Sequence, residues 1–172
     1  MKSKRKGICL GFAMMLIVGM VGSTALAEER PATVVSTNAL SVLGGVINVQ
    51  YERVLSPGMS FYASPRLLIG GGLTGLGMIA GIKKYLNPTA PEGLWFGGHG
   101  DFAYVSAGTI ASGTGLGGGA DVGYKYFLTE NFTIEGSLGL AYMYMSVSVL
   151  GYSWGAGGTF GVTGSIGVGY AF

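Results

Sequence analysis

Beyond position 9 the chain has no cysteine, and it has one histidine, His99. A domain with no thiols to pair must be held by its core or by a continuous sheet. So few soft ligands also leave little for a transition metal to bind, and no metal or other cofactor is expected. Charge is equally scarce: Asp, Glu, Lys and Arg make up 10% of the 172 residues, and none occurs after Glu135. The formal net charge of +2 is set by four basic residues among the first six; from position 28 onward six basic side chains face eight acidic ones, a balance of −2. That excludes the basic surface a nucleic-acid partner requires.

A long uncharged stretch invites membrane helices, but glycine argues against them. Gly151, Gly155, Gly157, Gly158, Gly161, Gly164, Gly167 and Gly169 would each cost a helix about 1 kcal/mol. The 34 glycines show no collagen-like triplet, so a glycine-rich β architecture accounts for them better.

What is present begins with a separable leader. Lys2, Lys4, Arg5 and Lys6 precede an apolar run over 8–22, and Ala25-Leu26-Ala27 follows as a small-x-small site. This is the layout of a cleaved secretory signal peptide over 1–27, with Cys9 leaving alongside it. Residues 28–172 then suit one domain.

The end of that domain carries the clearest periodicity. Phe160, Val162, Gly164, Ile166, Val168, Tyr170 and Phe172 alternate with Gly161, Thr163, Ser165, Gly167, Gly169 and Ala171. A period of two is a strand with one apolar and one polar face. Similar runs predict strands over 32–43, 46–55, 59–69, 78–86, 94–106, 116–128, 132–146 and 159–172. The first alternates weakly. Turns are expected at Gly44-Gly45, Ser56-Pro57-Gly58, 87–93 and Thr129-Glu130-Asn131, and loops over 70–77, 107–115 and 147–158. Pro65 lacks the N–H that a sheet without free edges needs, which predicts a local break near it.

The two faces differ in kind. One holds Glu52, Arg66, Lys83, His99, Asp101, Asp121, Lys125 and Glu135. The other holds only Arg53 and Lys84, each within three residues of a turn on the same side. An ionised group on a lipid-facing strand costs about 2–4 kcal/mol at mid-membrane and much less at an interface. A soluble sandwich would put its charges outside; this pattern puts them inside. On the apolar face Phe160 and Tyr170 are ten residues apart. At about 3.3 Å per residue and a tilt near 40°, they stand roughly 25 Å apart along a membrane normal, the height of an apolar band between two aromatic girdles.

Signal peptide, eight strands and terminal aromatic together resemble the small outer-membrane barrels of the OmpA/OmpX type. The resemblance implies an all-β fold: an eight-stranded antiparallel transmembrane β-barrel, an up-and-down meander over 28–172, in a Gram-negative outer membrane. It implies both termini in the periplasm, with Tyr170 and Phe172 as the signal read by the barrel-assembly machinery. Its partners would be outer-membrane lipids, with that machinery and periplasmic chaperones during biogenesis, and the protein would be a monomer. Larger members carry a peptidoglycan-binding domain after the barrel, for which this chain has no counterpart.

Activity is less well marked. The eight inward groups are expected to form a luminal charge network that plugs the interior, because buried charges need partners. A narrow pore or transporter for small or apolar solutes is the alternative, with the same residues as its filter. His99 and Asp101, two apart on one strand, are the pair that suggests catalysis, as in lipid A-modifying barrels. The serine those deacylases place two residues after the histidine is here Asp101, so no catalytic residues are assigned. The expected function is a non-catalytic structural or surface-interaction role. Leu73, Leu76, Ile110, Val149, Leu150, Tyr152 and Trp154, in uncharged outward connections, are read as strand extensions and tips rather than a docking surface.

Overall fold

A computed structural model describes residues 31–172 apart from 89 and 151, with the backbone alone considered at 154–156. The expected signal peptide lies outside the described residues.

The described residues form nine strands and one short helix: β1 (Thr33–Asn38), α1 (Ala39–Leu43), β2 (Val46–Asn48), β3 (Gln50–Ser56), β4 (Met59–Gly70), β5 (Leu73–Tyr85), β6 (Gly93–Ala107), β7 (Ala111–Phe127), β8 (Phe132–Val149) and β9 (Tyr152–Ala171). Every pairing is antiparallel, and from β4 to β9 each strand pairs with the next in sequence. The meander then returns on itself, with β1 seated between β9 and β3 and with β2 and β3 both on β4. The result is a ring of hydrogen-bonded strands.

β2 and β3 are one strand interrupted at Val49. Their registers on β4 agree, Asn48 facing Arg66 and Tyr51 facing Ala63, so Val49 faces Pro65. Val49 donates its N–H to the Pro65 carbonyl at 3.3 Å. Pro65 has no N–H to return, and the ladder lapses there. Merging the two pieces leaves eight strands around the ring.

Three expected loops are largely sheet. Strands take up most of 70–77, 107–115 and 147–158, with tight connections at Gly71-Gly72 and 108–110, and with β8 running to Val149 and β9 starting at Tyr152. Gly71 and Gly72 have φ of 60° and 77°, the left-handed region glycine enters without a steric penalty. The first expected strand is corrected the other way: pairing ends at Asn38 and the chain turns into α1. Asn38 caps that helix, its Oδ1 accepting from the Leu40 N–H at 3.0 Å, and the Gly44 N–H closes the far end on the Leu40 and Ser41 carbonyls.

Side chains sort by strand parity. Val122, Leu138 and Ile166 stand about half exposed on the outside, while Glu52, Lys83 and Lys125 are at most 1% exposed within. Trp95 is buried and its neighbour Phe96 is exposed, the same parity at work. Phe132 with Tyr170 and Tyr142 with Phe160 meet on the outer face as cross-strand aromatic pairs. No described helix is long and apolar enough to cross a membrane, which leaves open what strands do.

Candidate functional site

The eight charged or titratable side chains assigned to the inner face all point into the ring, where they divide into two groups. The deeper group centres on Glu52. Its Oε1 accepts from the Ser60 hydroxyl and the Tyr85 phenol, each at 2.6 Å. Its Oε2 accepts from Lys83 Nζ at 2.8 Å and also from Lys125 Nζ. Glu135 stands across from it, taking Lys83 Nζ at 2.6 Å on one oxygen and lying 2.9 Å from Lys125 Nζ with the other. That last contact is an ion pair without hydrogen-bond alignment. Two carboxylates and two ammonium groups thus alternate in one closed square, with Glu52, Lys83 and Lys125 buried and Glu135 at its cavity side. Lys83 also sits 4.6 Å over the Trp95 ring and 5.2 Å over that of Tyr62, so its charge is met on several sides.

Register explains why these groups converge. Lys125 and Glu135 are direct partners across β7 and β8. Lys83 reaches the same level from β5, and Glu52 from β3, each at the end of its strand nearest the 57–58 or 128–131 turns. Charges of both signs at one height neutralise each other where a lone one would be costly.

The second group lies further along the strands. Arg66 of β4 pairs with Asp101 of β6. His99 of β6 pairs with Asp121 of β7, Nδ1 to Oδ2 at 2.6 Å, and the Thr163 hydroxyl of β9 donates to the other Asp121 oxygen at 2.8 Å. The sequence pairing of His99 with Asp101 is therefore not the spatial one. The two carboxylates have been dealt out to different bases. Glycines make the room: a Cβ added at Gly139 would run into the Asp121 carboxylate, and one at Gly119 would meet the His99 ring.

Above the deeper square is a cavity of about 390 Å³. Its wall includes Arg66, Asp101, His99, Asp121 and Thr163, with Lys83, Glu135 and Trp95 contributing from below. The Trp95 indole N–H, in this wall, has no acceptor among the described residues. Asn38 and Ser41 at the start of α1 close one side, and residues 162–165 of β9 stand beside them. Thr163, Ser60, Tyr85 and Trp95 were not singled out from sequence, although their parity already placed them on the charged face. That shared parity was the signal available.

The arrangement can neutralise charge, exclude water at the deeper level and offer mixed hydrogen-bonding partners in the cavity. Among the described residues no group of three or more His, Cys, Asp or Glu is placed to hold a metal ion. The Thr163 hydroxyl beside the His99–Asp121 pair bonds the carboxylate. Comparison with family models, with curated proteins and with solved structures returned no match.

Proposed function

We propose that the protein is an eight-stranded outer-membrane β-barrel with a non-catalytic structural or surface-interaction role, its deeper interior plugged by the Glu52–Lys83–Lys125–Glu135 square. The observation that carries this reading is the division of charge. All seven carboxylate, ammonium and guanidinium groups on the inner face are paired inside the ring, and the outer face from β7 to β9 is apolar. Water would reverse that arrangement; hydrocarbon requires it. A ring without a free edge on most of its circumference also suits lipid, where each unpaired backbone group costs several kcal/mol.

In this reading the 57–58, 86–92 and 128–131 connections lie in the periplasm with both termini, and residues 1–27 are the export signal. Tyr170 and Phe172 serve as the assembly signal, and outer-membrane lipids, the assembly machinery and periplasmic chaperones are the partners of a monomer. The square closes the deeper lumen, which speaks for a plug over a narrow pore. Purified protein is expected to insert into lipid vesicles, resist added protease there and migrate faster on gels before boiling than after. A processed chain that stays a soluble monomer without detergent would refute the reading. In planar bilayers the plug predicts no steady single-channel currents; regular steps would favour the pore instead. An altered lipid A acyl pattern lost in His99→Ala would favour the enzyme.

A further inference from the structure

The wall of the ring is not uniform. β8 pairs β9 from Phe132↔Tyr170 to Val149↔Tyr152, with one register shift between Tyr144 and Ser146. On its other side β9 meets β1 only from Ala171 to Gly167, because β1 ends at Asn38. Beyond that point α1 stands where a strand would be. Its first contact with β9 is a side-chain bond, Asn38 Oδ1 accepting from the Ile166 N–H at 3.3 Å. By strand alternation the N–H groups of Gly164 and Val162 point to the same side as that of Ile166. Among the described residues no strand pairs with them there.

The cavity reaches this seam. Thr163 and Ser165 belong to the inner face of β9, yet Val162 and Gly164, of the outer parity, line the same space. Across the seam from them Asn38 and Ser41, at the start of α1, line it as well. Val162 is 74% exposed, against 64% for Leu140, its partner on β8. Thr163 is seven residues from Tyr170, which at about 2.5 Å of height per tilted residue puts the gap roughly 18 Å above the inner aromatic girdle. In the barrel reading, on which this inference rests, that is the half of the membrane facing outward.

We infer that the cavity is a binding site for a single-chain amphiphile with an uncharged, oxygen-bearing head group, entering sideways from the outer leaflet through the gap between α1 and β9. The head group would lie against Thr163, Ser165 and the His99–Asp121 and Arg66–Asp101 pairs. Its oxygens would accept from the Val162 and Gly164 N–H groups, which no strand meets there among the described residues and which hydrocarbon would not satisfy. The acyl chain would remain outside along Val162 and Leu40, both exposed on either side of the gap. Arg66 and His99 are already taken up by Asp101 and Asp121, so an anionic head would find no free counter-charge in this layer. The closed square below stops the ligand from passing through.

The test uses the full processed chain in vesicles, carrying Trp154→Phe so that Trp95 in the cavity wall is the one fluorophore. A monoacylglycerol brominated at carbon 2 of its chain, next to the head group, is titrated as quencher, with the matching 2-bromo fatty acid as the anionic arm. Saturable quenching by the monoacylglycerol at concentrations at least tenfold below those of the fatty acid is expected. Gly164→Phe, where an added Cβ meets nothing nearer than 3.6 Å, should weaken it tenfold or more, and Ser41→Phe should do so from the helix side. Heat-shifted gel mobility checks that each variant is folded. No saturable quenching, equal quenching by the fatty acid, or undiminished quenching in both folded variants would overturn the inference. In the same vesicles Leu138→Trp, in a chain with both native tryptophans replaced by Phe, reports on brominated phospholipid. Quenching there with none at Trp95 rejects the site and keeps the barrel; no quenching there rejects the barrel itself.

Discussion

The two charge layers inside the ring each set two carboxylates against two bases, and they differ in burial. In the deeper layer Glu52 and three other charged groups, a phenol and a serine hydroxyl are packed with side-chain exposures of 1–2% for Glu52, Lys83 and Lys125. Around Asp121 the partners are an imidazole and a threonine, the neighbouring Arg66 is 24% exposed, and the space beside them is open. Burial decides what each carboxylate is worth. A charge whose partner is removed in a closed site has no water to turn to, whereas one beside a cavity does.

The sharpest way to separate the layers is therefore to remove one carboxylate from each. Glu52→Ala leaves Lys83 and Lys125 sharing Glu135, and should destabilise the protein by about 3–5 kcal/mol, read as a fall in the urea midpoint of the vesicle-bound protein. A loss below 1 kcal/mol would mean that the square is wetter than its burial implies. Next in size is a change on the outer face: Leu138→Arg should cost about 2–4 kcal/mol in a bilayer. The same substitution on a water-exposed strand would cost far less, so this variant distinguishes lipid from solvent. Thr163→Val removes one hydrogen bond to Asp121 in the open layer, and about 1 kcal/mol is expected. If Thr163→Val proved as costly as Glu52→Ala, the contrast between the layers would fail. Asn38→Ala removes the cap of α1 and the acceptor of the Ile166 N–H together; a loss of about 1 kcal/mol should come with faster hydrogen exchange at Ile166 and little change at Leu138.

Much of the strand pattern was legible before any coordinates because parity is a local property. Val122, Leu138 and Ile166 fall outside and Glu52, Lys125 and Glu135 inside whatever the loops do, and the lapse opposite Pro65 follows from its missing N–H. Strand ends were not legible. Residues 111–115 read Ala-Ser-Gly-Thr-Gly, with no apolar alternation to mark them, yet a ladder needs only backbone groups and continues through them. α1 was missed because five residues are too few to show a helical period. Asn38, a ready N-cap, was its one local sign. The true partner of His99 was hidden for a related reason: cross-strand contacts depend on register, register on the length of the connection, and the 107–115 connection is shorter than expected. The seam beside β9 inherits both errors, since it exists only because β1 stops early and β9 starts early.

The central claim is that hydrocarbon bathes one side of this sheet while ionised groups occupy the other. Because the chain has no cysteine after position 9, a spin label can be placed at single positions along 132–142 of β8 in vesicles without competing sites. Collision with oxygen, which concentrates in lipid, should then peak at positions 134, 138, 140 and 142 and fall at 133, 135, 137 and 139. A water-soluble relaxant should fail to reach the first set. Labels at 138 and 140 that respond to the soluble relaxant as strongly as exposed turn positions, or a flat profile without a period of two, would contradict the account.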